Sequence, residues 1–145
     1  VFIDFLNQGG FKRLTIVDGM WHALQTLQEK GYWIHVLTAR PEENLRCKYD
    51  TYTWVNQHLL PVDRISFSSE KFRWCANSKY YDSNAIICAI DDSPKHAREY
   101  AKHGLTCLAP FKSYNEHLAK EPGIFHYTNK EEMLSLIENL KDNKV

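Results

Sequence analysis

The amino-acid sequence predicts an α/β fold in three layers, a mainly parallel sheet with helices on both faces. Two observations support this prediction. Short apolar segments typical of strands alternate with segments of helical periodicity along the chain, and such alternation is typical of parallel sheets. The apolar run at residues 85–90 contains no charged residue, which is typical of a strand buried on both faces of a parallel sheet.

The predicted strands are short, and turn or helix signals separate them. They are residues 1–5, 32–37, 64–67, 85–90, 105–108 and 124–127. The first is interrupted by Asp4, and we expect the last to form an edge strand.

Helices are predicted in the intervals between these strands. The first begins at Asp18 and stops at Gly31, because its apolar residues recur at helical spacing. The next begins near Pro41 and is expected to bury one apolar face. That face consists of Leu45, Tyr49, Tyr52, Val55 and Leu59. Further helices are predicted at residues 68–74 and 95–103 and after a cap at Asn129, and residues 113–120 form a short helix or a loop.

The composition indicates a single globular domain over residues 1–145. A chain of 145 residues, of which 43% are hydrophobic, can bury a sizeable core. Lysine plus arginine and aspartate plus glutamate each number 18, so no basic excess points to nucleic acid as an obligatory partner. No apolar run approaches the ~20 residues that a membrane-spanning helix needs, and there is no signal-peptide pattern. We therefore expect no membrane partner.

The cysteines indicate the compartment. Cys47, Cys75, Cys88 and Cys107 are widely separated and form no C-x-x-C pair. This spacing favours free thiols over a disulfide framework or a zinc site. The sequence therefore predicts an intracellular protein in a reducing compartment, either the cytoplasm or an organelle matrix.

Two adjacent carboxylates, Asp91 and Asp92, directly follow the apolar run at residues 85–90. The C-terminal ends of strands are where open α/β sheets bind their ligands. Neighbouring carboxylates repel each other unless a cation holds them, and oxygen ligands suit Mg²⁺. An alternative is that Asp92 or Ser93 caps the helix that begins at Pro94. The residues themselves leave both interpretations open.

Two other predicted strands also end in polar side chains. Thr38 follows residues 32–37, and Lys71 lies in the loop after residues 64–67. In an α/β sheet with right-handed connections, the C-terminal ends of parallel strands lie at the same edge, so we expect Thr38, Lys71 and the acidic pair to lie near one another there. Thr38 could donate to a phosphate oxygen and Lys71 could neutralise it. Taken singly, Thr38 is better explained by a helix cap and Lys71 by a solvated surface position, but the joint pattern favours a phosphate site.

With these motifs in place, the sequence resembles the haloacid dehalogenase (HAD) superfamily of phosphohydrolases from about residue 9 to residue 140. Residues 36–41 (VLTARP) are similar to the second motif of that superfamily, Lys71 to the third, and residues 89–94 (AIDDSP) to the fourth. Within the superfamily, the region from residue 10 through residue 41 and residues 47–55 are similar to 5'(3')-deoxyribonucleotidases.

The resemblance implies a Rossmann-like HAD fold and a Mg²⁺-dependent phosphatase that acts on a small phosphorylated substrate, such as a nucleotide, through an aspartyl-phosphate. It assigns the transferring phosphate to Thr38, and we add Ala39 and Arg40 as candidate phosphate-binding residues. Arg40 could reach a substrate phosphate from the mouth of the site or form a salt bridge with Glu42 or Glu43.

The resemblance assigns stabilisation of the transferring phosphate to Lys71 and the metal to Asp91 and Asp92. Lys79 is a rival for the third motif, and we prefer Lys71 because it directly follows a predicted strand end.

The first motif departs from the family pattern. The family uses Asp-x-Asp, in which the first Asp is the nucleophile and the second the general acid/base. Here the candidate is Asp4, and Leu6 occupies the position of the second Asp, where a leucine cannot move a proton. Alternatively, residues 1–14 are the end of a cap domain and the true first strand precedes Val1.

Two functions therefore follow from the sequence. The first is an active HAD-type phosphohydrolase, which requires a competent Asp4 or a first motif upstream. The second is a catalytically incomplete HAD-like module that serves as a structural or binding component of a larger assembly. The sequence leaves open whether the chain is an enzyme.

Overall fold

The computed structural model describes residues 19–41, 43–78, 82 and 85–143. The chain divides into two compact units, Val1–Ser69 and Glu70–Val145, which we call the first and second units. Each unit combines helices with a short sheet, and every strand pairing within the described residues is parallel. The fold is mixed α/β, which confirms the predicted class and is compatible with a Rossmann-like arrangement.

The first unit contains two helices and a two-stranded sheet. Its described elements are α1 (Met20–Glu29), β1 (His35–Thr38), α2 (Leu45–Gln57) and β2 (Arg64–Phe67). The strands pair in a register that places Thr38 opposite Phe67. The predicted strand at residues 64–67 is confirmed, and β1 begins three residues later than predicted and ends one residue later.

The face that α2 buries differs from the prediction. Leu45 is 79% exposed and Leu59, just beyond the helix, is 76% exposed. The buried side instead carries Cys47, Asp50, Thr51 and Val55. Polar residues are tolerated there because their groups are paired: the Thr51 hydroxyl donates to the Cys47 carbonyl at 2.8 Å, and Arg46 Nε lies 3.0 Å from Asp50 Oδ2. The predicted apolar face is therefore wrong at most of its positions.

The second unit contains a three-stranded sheet in the order β3-β4-β5. Its described elements are α3 (Lys71–Ala76), β3 (Ala89–Ile90), α4 (Pro94–Lys102), β4 (Cys107–Pro110), a 3₁₀ helix η1 (Ser113–Lys120), β5 (Ile124–Tyr127) and α5 (Lys130–Asn143). The predicted strand at residues 124–127 is confirmed.

The most buried strand is β4, and this differs from the prediction for residues 85–90. Only Ala89–Ile90 form a strand there, and Ile90 is exposed. In the described part of the second unit β3 is an edge strand: it pairs with β4 on one side, and no other strand of that sheet pairs with it on the other side. By contrast, β4 lies between two strands, and Cys107, Leu108 and Ala109 are fully buried.

The C-terminal helix α5 behaves as its sequence predicts. Met133 and Ile137, one turn apart, are buried. Asn129 Oδ1 accepts a hydrogen bond from Glu132 N at 2.8 Å, and the Glu132 carboxylate accepts one from Thr128 N at 2.9 Å. Such reciprocal bonds satisfy backbone donors at a helix start, which confirms the predicted cap at Asn129.

Within the described residues, none of the helices combines the length and the apolar character that crossing a membrane requires. All four cysteines are free thiols. Cys47, Cys75 and Cys107 are buried, and Cys88 is half-buried.

Candidate functional site

The acidic pair, Asp91 and Asp92, lies between the end of β3 and the start of α4. Asp91 N donates to the Leu108 carbonyl at 3.1 Å, which extends the pairing with β4 by one residue. Asp91 is buried and Asp92 is exposed. The two neighbouring carboxylates therefore occupy different environments at the C-terminal end of a parallel strand.

Lys71, the first residue of α3, forms an ion pair with Asp91. Lys71 Nζ lies 2.7 Å from Asp91 Oδ2, and the two side chains are only 14% and 6% exposed. The other oxygen of the same carboxylate, Oδ1, accepts a hydrogen bond from Ser93 N at 3.0 Å. The structure thus brings together two of the predicted site residues, and it engages both oxygens of Asp91.

Asp92 contacts two residues of η1. The Tyr114 hydroxyl donates to Asp92 Oδ2, and this hydrogen bond raises the pKa of the phenol to about 12, with a smaller contribution from burial. Asn115 Nδ2 donates to the Asp92 backbone carbonyl at 3.0 Å. Sequence reasoning missed both residues, because residues 113–120 carried no signal that distinguished them from a surface loop.

The helix-cap alternative is confirmed in position for Ser93 and wrong for the side chain of Asp92. Ser93 is the N-cap residue of α4, but its side chain makes no capping hydrogen bond, and the Asp92 side chain is bonded to Tyr114. The bond from Ser93 N to Asp91 Oδ1 is instead a local turn of the kind that aspartate makes with the backbone two residues on. Pro94 does begin the helix, as predicted.

His96 lies in the first turn of α4, close to the ion pair. Burial lowers the pKa of its imidazole, and the positive charge of Lys71 lowers it further, partly offset by Asp91. A pKa below the usual 6.5 means that His96 is mainly neutral at neutral pH. It therefore adds little positive charge beside Lys71.

The predicted phosphate-binding residues, Thr38, Ala39 and Arg40, lie at the C-terminal end of β1 in the first unit. Thr38 Oγ1 accepts a hydrogen bond from Arg40 N at 3.3 Å, and Arg40 Nη1 donates to Thr51 Oγ1 at 3.1 Å. Burial lowers the pKa of the Arg40 guanidinium. Thr38 is not the cap of α2, since that position belongs to Asn44. The Thr38 hydroxyl hydrogen can still be donated to a ligand.

Asp4, Leu6 and Lys79 lie outside the described residues. The candidate nucleophile, the leucine at the acid/base position and the rival lysine of the third motif therefore stay predictions.

The carboxylate oxygens of Asp91 and Asp92 are of the type that binds Mg²⁺. Mg²⁺ is commonly bound by one or two carboxylates, with waters and substrate phosphates completing its shell, and Asp91 and Asp92 supply carboxylate oxygens. In the described part of the chain, no group of three or more His, Cys, Asp or Glu side chains is arranged to hold a metal ion. Binding of Mg²⁺ stays a prediction.

Chemically, the acidic pair and Lys71 combine a buried ammonium group, a carboxylate paired with it and a second, exposed carboxylate. Such a group of charges at a strand end can attract a cation through its carboxylates and an anion through its lysine.

No protein-family model, no curated protein and no solved structure matches the chain.

Proposed function

We propose that the chain is a Mg²⁺-dependent phosphomonoester hydrolase with a three-layer, Rossmann-like HAD fold. Its substrate is a small phosphorylated molecule, such as a nucleotide or deoxynucleotide. The observation that carries the proposal is the 2.7 Å ion pair between Lys71 Nζ and Asp91 Oδ2 at the end of β3. It joins the residues that resemble the third and fourth motifs of the superfamily.

The burial of this ion pair supports a role beyond folding. Removing a lysine and a carboxylate from water is costly, and the attraction between them often only offsets that cost. We infer that these two charges are kept at this position because they meet a ligand there. The position at the C-terminal end of a parallel strand is where α/β sheets bind ligands.

Lys71 has the clearest chemical role in this proposal. Its ammonium group is a compact positive charge that neutralises the oxygens of the transferring phosphoryl group. A bound Mg²⁺ would supply further compensation of negative charge on the phosphate, and Asp91 and Asp92 would hold it. The resemblance assigns phosphate binding to Thr38 and Arg40 as well, and that assignment stays a prediction.

The covalent chemistry in this proposal belongs to Asp4. Its carboxylate attacks phosphorus, the bond to the leaving alcohol breaks, and an aspartyl-phosphate forms. Water then attacks the aspartyl-phosphate, which releases inorganic phosphate and restores the carboxylate. Because Leu6 cannot donate a proton, the leaving alcohol would take its proton from water or from a residue upstream of the chain.

A second candidate function is a catalytically incomplete module that binds or supports a partner in a larger assembly. Leu6 at the acid/base position favours it. A further observation in its favour is that both oxygens of Asp91 are already engaged, by Lys71 and by Ser93 N. An ion pair held in this way can serve folding alone.

Hydrolysis assays separate the two functions. The full-length protein is incubated with p-nitrophenyl phosphate or a deoxynucleoside monophosphate, with and without Mg²⁺. We expect Mg²⁺-dependent turnover that falls by about 10²–10³-fold in Asp91→Asn. Asp142→Asn, at an exposed position of α5, is the matched control and should keep wild-type activity. Absence of turnover would remove the enzyme, whereas Mg²⁺-dependent binding of a phosphate analogue without turnover would support the incomplete module.

A further inference from the structure

Asn115 is a fully buried polar residue next to the acidic pair. It lies in η1 and is 0% exposed, although asparagine side chains are mostly exposed in proteins. Its Nδ2 donates to the backbone carbonyls of Asp92 and Pro110, each at 3.0 Å. Its Oδ1 accepts from Lys112 N at 2.9 Å. A buried amide with its donors and its acceptor engaged holds its neighbours in one arrangement.

These bonds join the ends of two strands. Pro110 is the last residue of β4, and Asp92 lies two residues after the end of β3. Asn115 therefore fixes the position of the Asp92 backbone relative to the central strand of the second unit. The side chain of Asp92 is held separately, by a hydrogen bond from the hydroxyl of Tyr114, the residue before Asn115.

Tyr114 and Asn115 differ in burial, which separates their contributions. Tyr114 is 53% exposed, so its ring adds little to the core. Its hydroxyl orients one oxygen of the Asp92 carboxylate, Oδ2. Within the described residues, the other oxygen, Oδ1, accepts no hydrogen bond.

We propose that Tyr114 and Asn115 are positioning residues that orient Asp92 and thereby set the affinity of the acidic pair for a divalent cation. Metal-ligating carboxylates are themselves commonly hydrogen-bonded, and loss of such outer partners weakens metal binding. The inference rests on the proposed Mg²⁺ site and adds the residues that control its affinity. Neither residue would contact the cation or the reacting phosphate.

The test measures cation affinity rather than activity. The full chain is titrated with Mn²⁺, as a paramagnetic substitute for Mg²⁺, and free Mn²⁺ is followed by electron paramagnetic resonance. Tyr114→Phe removes a single, largely exposed hydroxyl group. We expect it to weaken Mn²⁺ binding about tenfold, at the low end of the range for outer-shell partners, because Tyr114 is half exposed. Its urea unfolding midpoint without cation should equal that of the wild type.

Matched variants separate positioning from a general loss of stability. Tyr49→Phe removes a hydroxyl from another exposed tyrosine, on α2, and should leave the affinity unchanged. Asn115→Ser, which is too short to reach both carbonyls, should weaken binding more than Tyr114→Phe and also lower the unfolding midpoint. If Asn115→Ser fails to fold, Tyr114→Phe still decides the question.

Equal or tighter binding of Mn²⁺ by Tyr114→Phe would overturn the inference, as would the absence of Mn²⁺ binding by the wild-type chain. The hydrolysis assay is independent of this result. The expected order of affinities without turnover would support the positioning role and remove the phosphatase. If the wild type hydrolyses the substrate but Tyr114→Phe binds Mn²⁺ as tightly as the wild type, the phosphatase is supported and the positioning role is removed.

Discussion

At the level of single residues, the environment of Lys71 decides between the two interpretations of that lysine. A solvated surface lysine would keep its ammonium group in water, but the Lys71 side chain is 14% exposed and its Nζ is bonded to Asp91. The surface interpretation is therefore wrong. Whether the ion pair serves chemistry or folding is a separate question, and stability measurements address the folding part.

We predict that Lys71→Met destabilises the protein by about 3 kcal/mol, because it leaves the buried Asp91 carboxylate without its partner. Asp91→Asn should also destabilise it, since Lys71 is then left unpaired. The double variant should lose less free energy of unfolding than the two single variants combined. Urea unfolding of the four proteins measures this coupling, and Lys95→Met, at an exposed position, is the control. Additive losses would show that the two charges do not stabilise each other.

At the level of secondary-structure elements, close packing between α4 and the start of β5 explains one glycine. Gly123 has φ +83°, and a Cβ atom built there would lie 3.2 Å from Ala101 Cβ, in α4. Gly104 has nearly the same backbone, φ +85°, but a Cβ atom there would meet nothing within 4 Å. The two glycines therefore share the backbone requirement and differ in the space around them.

We predict that Gly104→Ala destabilises the protein by about 1 kcal/mol, from the cost of a left-handed backbone for alanine. Gly123→Ala should cost about 1 kcal/mol more, because the added methyl group also presses on Ala101. Free energies of unfolding in urea measure both losses, and Gly104→Ala serves as the matched control. A loss in Gly123→Ala no larger than in Gly104→Ala would mean that α4 moves away at no cost.

At the level of the whole molecule, several buried groups tie the stability of the protein to pH. Burial raises the pKa of the Cys107 thiol from 9.0 to about 12, and the negative charge of Asp91 adds to the shift. Burial, with a contribution from Asp92, raises the pKa of Tyr127 from 10.0 to about 12. Above pH 9 the unfolded chain therefore releases protons that the folded chain keeps.

The sign of the effect follows from this difference. The folded protein binds more protons than the unfolded one between about pH 9 and pH 12, so its stability is complete below pH 9 and falls as the pH rises. We predict that the urea midpoint declines between about pH 9 and about pH 12. Cys107→Ala should start from a lower midpoint, because a buried side chain is shortened, but decline less steeply. A wild-type midpoint that is constant over this range would contradict the prediction.

The sequence by itself determined the α/β class, most strand positions in the described part and the meeting of Lys71 with Asp91. Strand and helix signals are local, so apolar runs and turn residues suffice to find them. The contact between Lys71 and Asp91 is predicted from a shared sheet edge, whereas in the described residues β2 and β3 belong to separate sheets. Only the tertiary structure decided that β4 rather than residues 85–90 forms the buried strand. It also decided which face of α2 is buried and that Tyr114 and Asn115 hold Asp92. The physical reason is that burial of a polar side chain depends on partners distant in the chain, as Asn115 and Asp92 are, and periodicity in one segment contains no information about them.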